Sequence, residues 1–367
     1  MQETIQFVRP TCVHIHDKAG HVSSLHQISE HRFHPGGRSA ISLSSYLTGH
    51  PPTKHLFASL PDLADAFYSS AKPRKRGTPL RVTPTAAEPI IVGTAFDYWL
   101  RAWIARTWSA VPRAEGKWVA EAAMDMPQFA FADPETDALE HRLKEVRDLY
   151  NAYVAGGEQL LAALLRGCLF LARLDLIYRA NVDEPDFFRI NPKDLEDLQA
   201  LAKLAMARRY VFAPKERVIF NPHFRALGRL VGGADADLVI DDLLLDIKVS
   251  ARARSPRTAY QRQLIGYWIL AAMQGEPWPI RRLGVYIARD GTLFTLPVER
   301  LIERVDLMDF TRSFLKEVER CRSGGKRNGT VLLRSLAPQF QHLAMAIREM
   351  ASSLAPADRH AGHQVRR

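Results

Sequence analysis

The middle of the chain carries a helical pattern of apolar residues. From about 135 to 210, apolar side chains recur every three to four positions, as at Leu164 and Cys168. This spacing is typical of buried helices. A further helix is predicted at 93–108, with Thr94 as its N-cap.

From residue 216 onward the pattern changes to short apolar runs bounded by turn residues. Such runs are typical of strands. Strands are predicted at 216–220, 229–240, 243–249, 283–287 and 293–296, and helices at 256–274, 298–322 and 336–354. This order predicts an α/β fold with a mixed central sheet flanked by helices.

Three regions are expected along the chain. Residues 1–80 are irregular and form a loop-rich N-terminal extension with a basic linker at 72–77. Residues 81–330 form the main domain, with the helical stretch as an insertion. Residues 331–367 form a C-terminal helix and a disordered tail.

Charge and composition narrow the class of protein. The 50 Lys and Arg residues outnumber the 40 Asp and Glu residues, for a net charge of +10. A basic balance favours nucleic acid as partner, although the same charge serves solubility. No long apolar run or secretory signal is visible, so a membrane is not expected as partner. Three scattered cysteines predict no disulfide framework and no iron–sulfur cluster, and they fit the cytoplasm.

Residues 235–248 are predicted to form a β-hairpin with polar residues at its open end. A two-residue turn at 241–242 places Asp237 opposite Asp246, and Lys248 follows two residues later on the same face. Asp235 shares this face. The other face holds only apolar side chains, at Leu238, Ile240, Leu243, Leu245 and Ile247. Because both strands are rich in apolar residues, the hairpin is expected to be covered on both sides.

Two carboxylates and a lysine at the end of a buried hairpin favour a metal site. Like charges repel and lose hydration there, and a divalent cation offsets that cost. Mg²⁺ prefers oxygen ligands and can activate water beside a phosphate. The simpler interpretation of the hairpin is an exposed strand pair with an Asp–Lys ion pair. A separate and weaker candidate metal site is His14-x-His16 in the N-terminal region.

The hairpin and the helix after it resemble a known family. Gly232-x-x-Asp235, Asp246-x-Lys248 and Gln263-x-x-x-Tyr267 follow one another as in the RecB-like branch of the PD-(D/E)XK nucleases, and 283–287 matches the next core strand. The resemblance implies a restriction-endonuclease-like fold and a metal-dependent nuclease. Its cofactor would be Mg²⁺ or Mn²⁺, and its substrate DNA rather than RNA, in DNA repair or phage defence.

The resemblance also implies roles for individual residues. Asp237 and Asp246 would be metal ligands, the Ile247 carbonyl a further ligand, and Lys248 the catalytic lysine. Gln263 and Tyr267, one helical turn apart, would face the active site.

Three positions leave alternatives open. Asp235 competes with Asp237 as the first metal ligand, because the family's Gly-x-x-Asp spacing ends at Asp235 whereas hairpin pairing favours Asp237. Gln261 replaces Gln263 if the helix register shifts. Asp97 stands where the family has a histidine, so it is either an extra metal ligand or an exposed helix carboxylate.

Basic residues follow the Asp246-x-Lys248 strand and are candidate phosphate contacts. They are Arg252, Arg254, Arg257 and Arg262, with Lys326 and Arg327 as weaker candidates. The competing functions are an inactive nucleic-acid-binding protein of the same fold and a structural partner that uses its helical insertion.

Overall fold

The computed structural model describes residues 43, 51–71, 79–126, 129, 133–180, 186–275, 280–324 and 330–352, all within one unit of the chain, 39–367. Several sequence-based predictions lie outside these residues. They concern His14 and His16, the linker 72–77, Lys326 and Arg327, and the C-terminal tail.

Seven strands and twelve α-helices lie within the described residues. The strands are β1 Tyr68–Ser69, β2 Arg113–Glu115, β3 Val218–Phe220, β4 Leu238–Ile240, β5 Leu243–Lys248, β6 Arg282–Ile287 and β7 Thr292–Pro297. The helices are α1 Pro51–Ala58, α2 Pro89–Thr107, α3 Val119–Ala123, α4 Pro134–Val154, α5 Leu161–Ala180, α6 Pro192–Ala207, α7 Arg225–Leu230, α8 Thr258–Gln274, α9 Val298–Ile302, α10 Leu307–Arg322, α11 Thr330–Ser335 and α12 Ala337–Ser352.

The strands form one mixed sheet in the order β1-β7-β6-β5-β4-β3-β2. Strands β3, β4 and β5 form an antiparallel meander, and β6 pairs parallel to β5. A parallel neighbour requires a crossover connection, which α8 supplies. The prediction of a mixed α/β fold with helices around a central sheet is confirmed.

The sheet separates two apolar cores. Leu238, Leu245 and Tyr286 face a core shared with α2, α4, α5 and α6. Val239 and Leu244, on the opposite face, belong to a second core with α8, α10 and α12. Because both faces are covered, the central strands are apolar on both sides, as predicted.

The hairpin of β4 and β5 has the predicted register. Leu238 pairs with Leu245 and Ile240 with Leu243, so the turn holds two residues, Asp241 and Asp242. Asp241 has φ +54°. Its carboxylate accepts hydrogen bonds from the backbone N–H groups of residues 215–217, at 2.8–3.2 Å, which fixes the turn.

The prediction of one strand over 229–240 is wrong in its first part. Residues Arg225–Leu230 form α7, and Leu227 and Val231 pack into the second core at helical spacing. Gly232 and Gly233 follow with φ +76° and +116°, values that an extended strand does not contain. The strand therefore begins only at Leu238.

Helix α2 begins earlier than predicted. Pro89 is its first residue and Glu88 its N-cap, so Thr94 lies inside the helix and does not cap it. Proline is well placed at the first helical position, because the N–H it lacks would have no helical partner there. The Asp194 carboxylate also accepts hydrogen bonds from the N–H groups of Ala87 and Glu88, at 2.7 and 2.9 Å.

The predicted helical stretch at 135–210 consists of α4, α5 and α6, with a short 3₁₀ turn before α5. Leu164, Cys168 and Leu169 are buried as predicted. No described helix is both long enough and apolar enough to cross a membrane.

Candidate active site

Two carboxylates meet across the open end of the β4–β5 hairpin. Continuing the strand register by one residue places Asp237 opposite Asp246. Asp237 Oδ2 accepts a hydrogen bond from the Ile247 N–H at 2.6 Å. The N–H and C=O of a strand residue point to the same neighbouring strand, so the Ile247 carbonyl also lies on the Asp237 side.

Lys248 completes the cluster from the same strand. Its ammonium donates a hydrogen bond to Asp246 Oδ1 at 2.9 Å and lies 2.7 Å from Oδ2, without the alignment of a hydrogen bond there. It also lies 5.1 Å from the centre of the Tyr260 ring, close enough for a cation–π interaction.

Burial dominates the electrostatics of this cluster. Asp246 is 2% exposed, and loss of hydration raises the pKa of its carboxyl to about 7, with a further upward contribution from Asp237 and a downward one from Lys248. Burial lowers the pKa of Lys248, but attraction to Asp246 and Asp237 outweighs it and the net shift is upward. Lys248 therefore carries its proton.

Helix α8 holds the lysine from the other side. Gln263 Oε1 accepts a hydrogen bond from the Lys248 ammonium at 3.0 Å, and Gln263 Nε2 donates to the Tyr267 hydroxyl at 2.8 Å. The Tyr267 ring stacks on Phe224, with centroids 5.6 Å apart. Burial, with the charges of Asp246 and Asp237, raises the pKa of Tyr267, so its hydroxyl stays protonated. Asp246, Lys248, Gln263 and Tyr267 thus form one connected chain.

Gln261 has a different task. Its buried side chain accepts from the Leu63 N–H at 2.8 Å and donates to Asp62 and to the Pro256 carbonyl. It therefore ties the segment after α1 to α8. Of the two glutamines considered from the sequence, Gln263 contacts the lysine.

The Asp235 carboxylate contacts a histidine, and within the described part of the chain it is not linked to the strand that carries Asp246. Its Oδ1 lies 2.9 Å from Nδ1 of His223, to which it is also joined by an isolated β-bridge. Burial raises the pKa of Asp235, but His223 together with Arg179 and Arg101 lowers it overall. Asp237, with its bond to the Ile247 N–H, is the aspartate directly joined to the Asp246 strand.

Asp97 on α2 forms an ion pair with Arg101, whose Nε donates to Asp97 Oδ1 at 3.2 Å. Burial lowers the pKa of Arg101, opposed by the charges of Asp237 and Glu115. The start of α2 lies beside the site, since a Cβ on Gly93 would be 3.8 Å from Val249 Cβ. Asp97 therefore lies on the helix that borders the site, but it is already paired with Arg101.

The loop after β5 presents arginines to solvent. Ala253 is fully buried in the second core, and Arg252, Arg254 and Arg257 around it are exposed. Arg262 is half-buried, and its Nη2 donates to the Ala58 carbonyl at 3.4 Å. Three of the four predicted phosphate contacts thus lie where a large ligand can reach them.

Several neighbours of the site were not foreseen from the sequence. They are Phe224, His223 and Tyr260, described above, and Asn221, which is buried at φ +49° and donates its N–H to the Asp237 carbonyl at 3.1 Å. Phe224, His223 and Asn221 follow β3 within four residues. The only sequence signal was a polar stretch after a short strand, which is equally typical of any loop.

The donors fit a hard divalent cation. Asp237 accepts the Ile247 N–H through Oδ2, and Asp246 Oδ2 is buried and accepts no hydrogen bond from the described residues. Two carboxylate oxygens beside a backbone carbonyl suit Mg²⁺ or Mn²⁺, which keep several waters. No three His, Cys, Asp or Glu side chains gather as a ligand group in the described part of the chain.

Comparison of the chain with protein-family models, with curated protein sequences and with solved structures yields no match.

Proposed function

We propose that the protein is a metal-dependent nuclease of the PD-(D/E)XK superfamily that hydrolyses phosphodiester bonds of DNA. The observation that carries this proposal is the buried cluster of Asp246, Lys248 and Gln263, closed by Asp237 at the end of the hairpin. Such a cluster is costly for stability, and buried groups with perturbed pKa values gather at functional sites. The substrate is DNA in a repair, processing or phage-defence setting.

The arrangement of elements supports the same class. The meander β3–β5, the crossover helix α8 and the parallel strand β6 follow in the order that the RecB-like motifs imply, with α2 upstream beside the site. This order supports a restriction-endonuclease-like fold, with α4 to α6 as its helical insertion.

The residues divide the work of hydrolysis between them. Asp237 and Asp246, with the Ile247 carbonyl, would hold Mg²⁺ or Mn²⁺. The bound ion supplies Lewis acidity that orients water and offsets charge on the phosphate. Lys248, kept protonated, stabilises negative charge that develops on the phosphate oxygens. Gln263 directs the ammonium, and Tyr267 fixes Gln263 in turn.

Arg252, Arg254 and Arg257 extend the positive charge beyond the cleavage point. They lie on the loop that leaves β5 directly after Lys248. Contacts to phosphates there would position the strand without reading bases.

The test is cleavage of linear, circular and single-stranded DNA, and of RNA, by purified protein in Mg²⁺, Mn²⁺ or chelator. Lys248→Ala is expected to lower the cleavage rate by about 10²–10³-fold. Asp242→Asn, at the other end of the same hairpin, is the control and keeps the wild-type rate. Equal cleavage by wild type and Lys248→Ala would overturn the proposal.

A second candidate is a nucleic-acid-binding protein that has lost catalysis. The observation in its favour is Asp97, which replaces the family's histidine and is paired with Arg101. Its signature in the same assay is binding of DNA with no cleavage by any form of the protein.

A further inference from the structure

A buried ion pair joins the helical layer to the end of strand β5. Arg289 lies two residues after β6 and is 1% exposed. It donates hydrogen bonds from both terminal nitrogens to the carboxylate of Asp197 on α6, at 2.8 and 2.6 Å. Its Nε donates to the carbonyl of Val249, the residue after Lys248, at 2.8 Å.

The backbone around Lys248 is held on both sides of the lysine. The Ile247 N–H donates to Asp237, and the Lys248 carbonyl accepts from the Ala288 N–H at 3.0 Å. The Arg289 guanidinium then donates a hydrogen bond to the next carbonyl along the chain, that of Val249. A side chain thus continues hydrogen bonding where the β5–β6 pairing ends, and its rigid fork serves two partners at once.

Such a pair is a poor way to gain stability alone. Removing two charges from water costs several kcal/mol per ion, and an apolar pair of similar volume is often as stable. Asp197 and Arg289 are both almost fully buried, so this cost applies to them. What an apolar pair cannot supply is the donor to the Val249 carbonyl.

We propose that Arg289 and Asp197 are positioning residues for Lys248. By fixing the Val249 carbonyl, the pair sets the direction in which the lysine leaves β5 towards Asp246 and Gln263. The inference rests on the proposed function, in which Lys248 acts on the phosphate. It gives helix α6, in the helical insertion, a part in the active site.

The test separates positioning from stability with three variants. Arg289→Met lowers both the thermal midpoint and kcat. The double variant Asp197→Leu with Arg289→Met regains part of the lost midpoint, because no charge is left unpaired although the Val249 carbonyl still lacks its donor, but its kcat stays at least about tenfold below wild type with KM for DNA unchanged. All assays are run well below the lowest midpoint.

Arg173→Met is the matched control. Arg173 is almost fully buried like Arg289, with 2% of its surface exposed. It pairs with Glu88 at 2.8 Å and donates to the Arg189 carbonyl, and both of these partners lie outside β5. Its replacement lowers the midpoint and leaves kcat at the wild-type value. An equal fall in kcat for Arg173→Met and Arg289→Met, or a wild-type kcat in the double variant, would overturn the inference.

Amide hydrogen exchange reports on positioning without cleavage. The Ala288 amide, bonded to the Lys248 carbonyl, exchanges faster in the double variant than in wild type, and at the wild-type rate in Arg173→Met. Unchanged exchange in the double variant contradicts the inference. A wild type that cleaves no nucleic acid contradicts the proposed function instead, while the exchange rates still decide whether the pair holds this backbone.

Discussion

Asp237 and Ile247 are joined across the hairpin by a 2.6 Å hydrogen bond from the Ile247 N–H to the Asp237 carboxylate. Ile247 lies between Asp246 and Lys248. The side chain of one strand therefore fixes the backbone that separates the second carboxylate from the lysine. This bond, more than the facing of two aspartates alone, makes the end of the hairpin a defined site.

Binding of a divalent cation should raise the thermal stability of the protein. Mg²⁺ or Mn²⁺ is expected to raise the thermal midpoint of wild type, because an ion that binds only the folded protein adds about 2.7 kcal/mol at a concentration of about 100 times Kd. The gain should disappear in chelator. Asp246→Asn should show no gain, and a shift equal to that of wild type would exclude Asp246 as a ligand.

Gln263 should matter for the rate and Gln261 for stability. Gln263→Leu removes the acceptor that holds Lys248, and removal of such a supporting group lowers activity about 10–100-fold. Gln261→Leu, two positions away on the same helix, releases Asp62 and Leu63 and should lower the thermal midpoint while kcat changes little. The reverse outcome would mean that α8 presents the other glutamine to the site.

The exposed arginines should control the salt dependence of DNA binding. Replacing Arg252, Arg254 or Arg257 with alanine is expected to weaken binding of all DNA sequences alike. Each replacement should reduce the slope of log K against log salt by about 1, because one phosphate is no longer neutralised. Arg320→Ala on α10, where Arg320 pairs with Glu317, is the control. An unchanged slope in all three variants would place the DNA elsewhere.

The Asp241 turn predicts a pH dependence of stability. Burial raises the pKa of Asp241, but the N–H groups of Glu216, Lys215 and Arg217 outweigh it and hold the pKa below its ordinary 3.8. A lowered pKa in the folded state adds stability that is present above pH 3.8 and is lost as the pH falls below it.

Asp241→Asn tests this dependence. Asparagine tolerates the left-handed backbone but carries no charge, so the variant should be about 1 kcal/mol less stable at pH 6. The difference from wild type should shrink towards pH 3 in chemical unfolding experiments. Asp241→Gly accepts the same φ and should follow the same trend, whereas a constant difference across this range would rule out the carboxylate as its cause.

The hairpin was predictable because its geometry is local. A two-residue turn between two apolar runs fixes which side chains share a face, so Asp237, Asp246 and Lys248 converge without knowledge of the rest of the chain. The strand over 229–240 failed for the opposite reason. Leu227 and Val231 fit a short helix as well as a strand, and only the two glycines at 232 and 233 separate the elements.

The contacts that site residues make with distant parts of the chain could not be predicted from local sequence patterns. The choice between Gln261 and Gln263 depends on the rotation of α8 against the sheet, which packing sets. The contacts of Arg289 with Asp197 and of Asp235 with His223 join residues from different elements. A lone arginine after a strand carries no mark of its distant partner.

The two contacts that hold the backbone around Lys248 differ greatly in sequence separation, and they should therefore form at different stages of folding. The bond between Asp237 and Ile247 spans only 10 residues and forms once a hairpin closes, on a microsecond scale. The pair of Asp197 and Arg289 spans 92 residues and must wait for α6, α8 and β6 to assemble. In the proposed nuclease, the lysine would therefore be fully directed only after this long-range pair has formed.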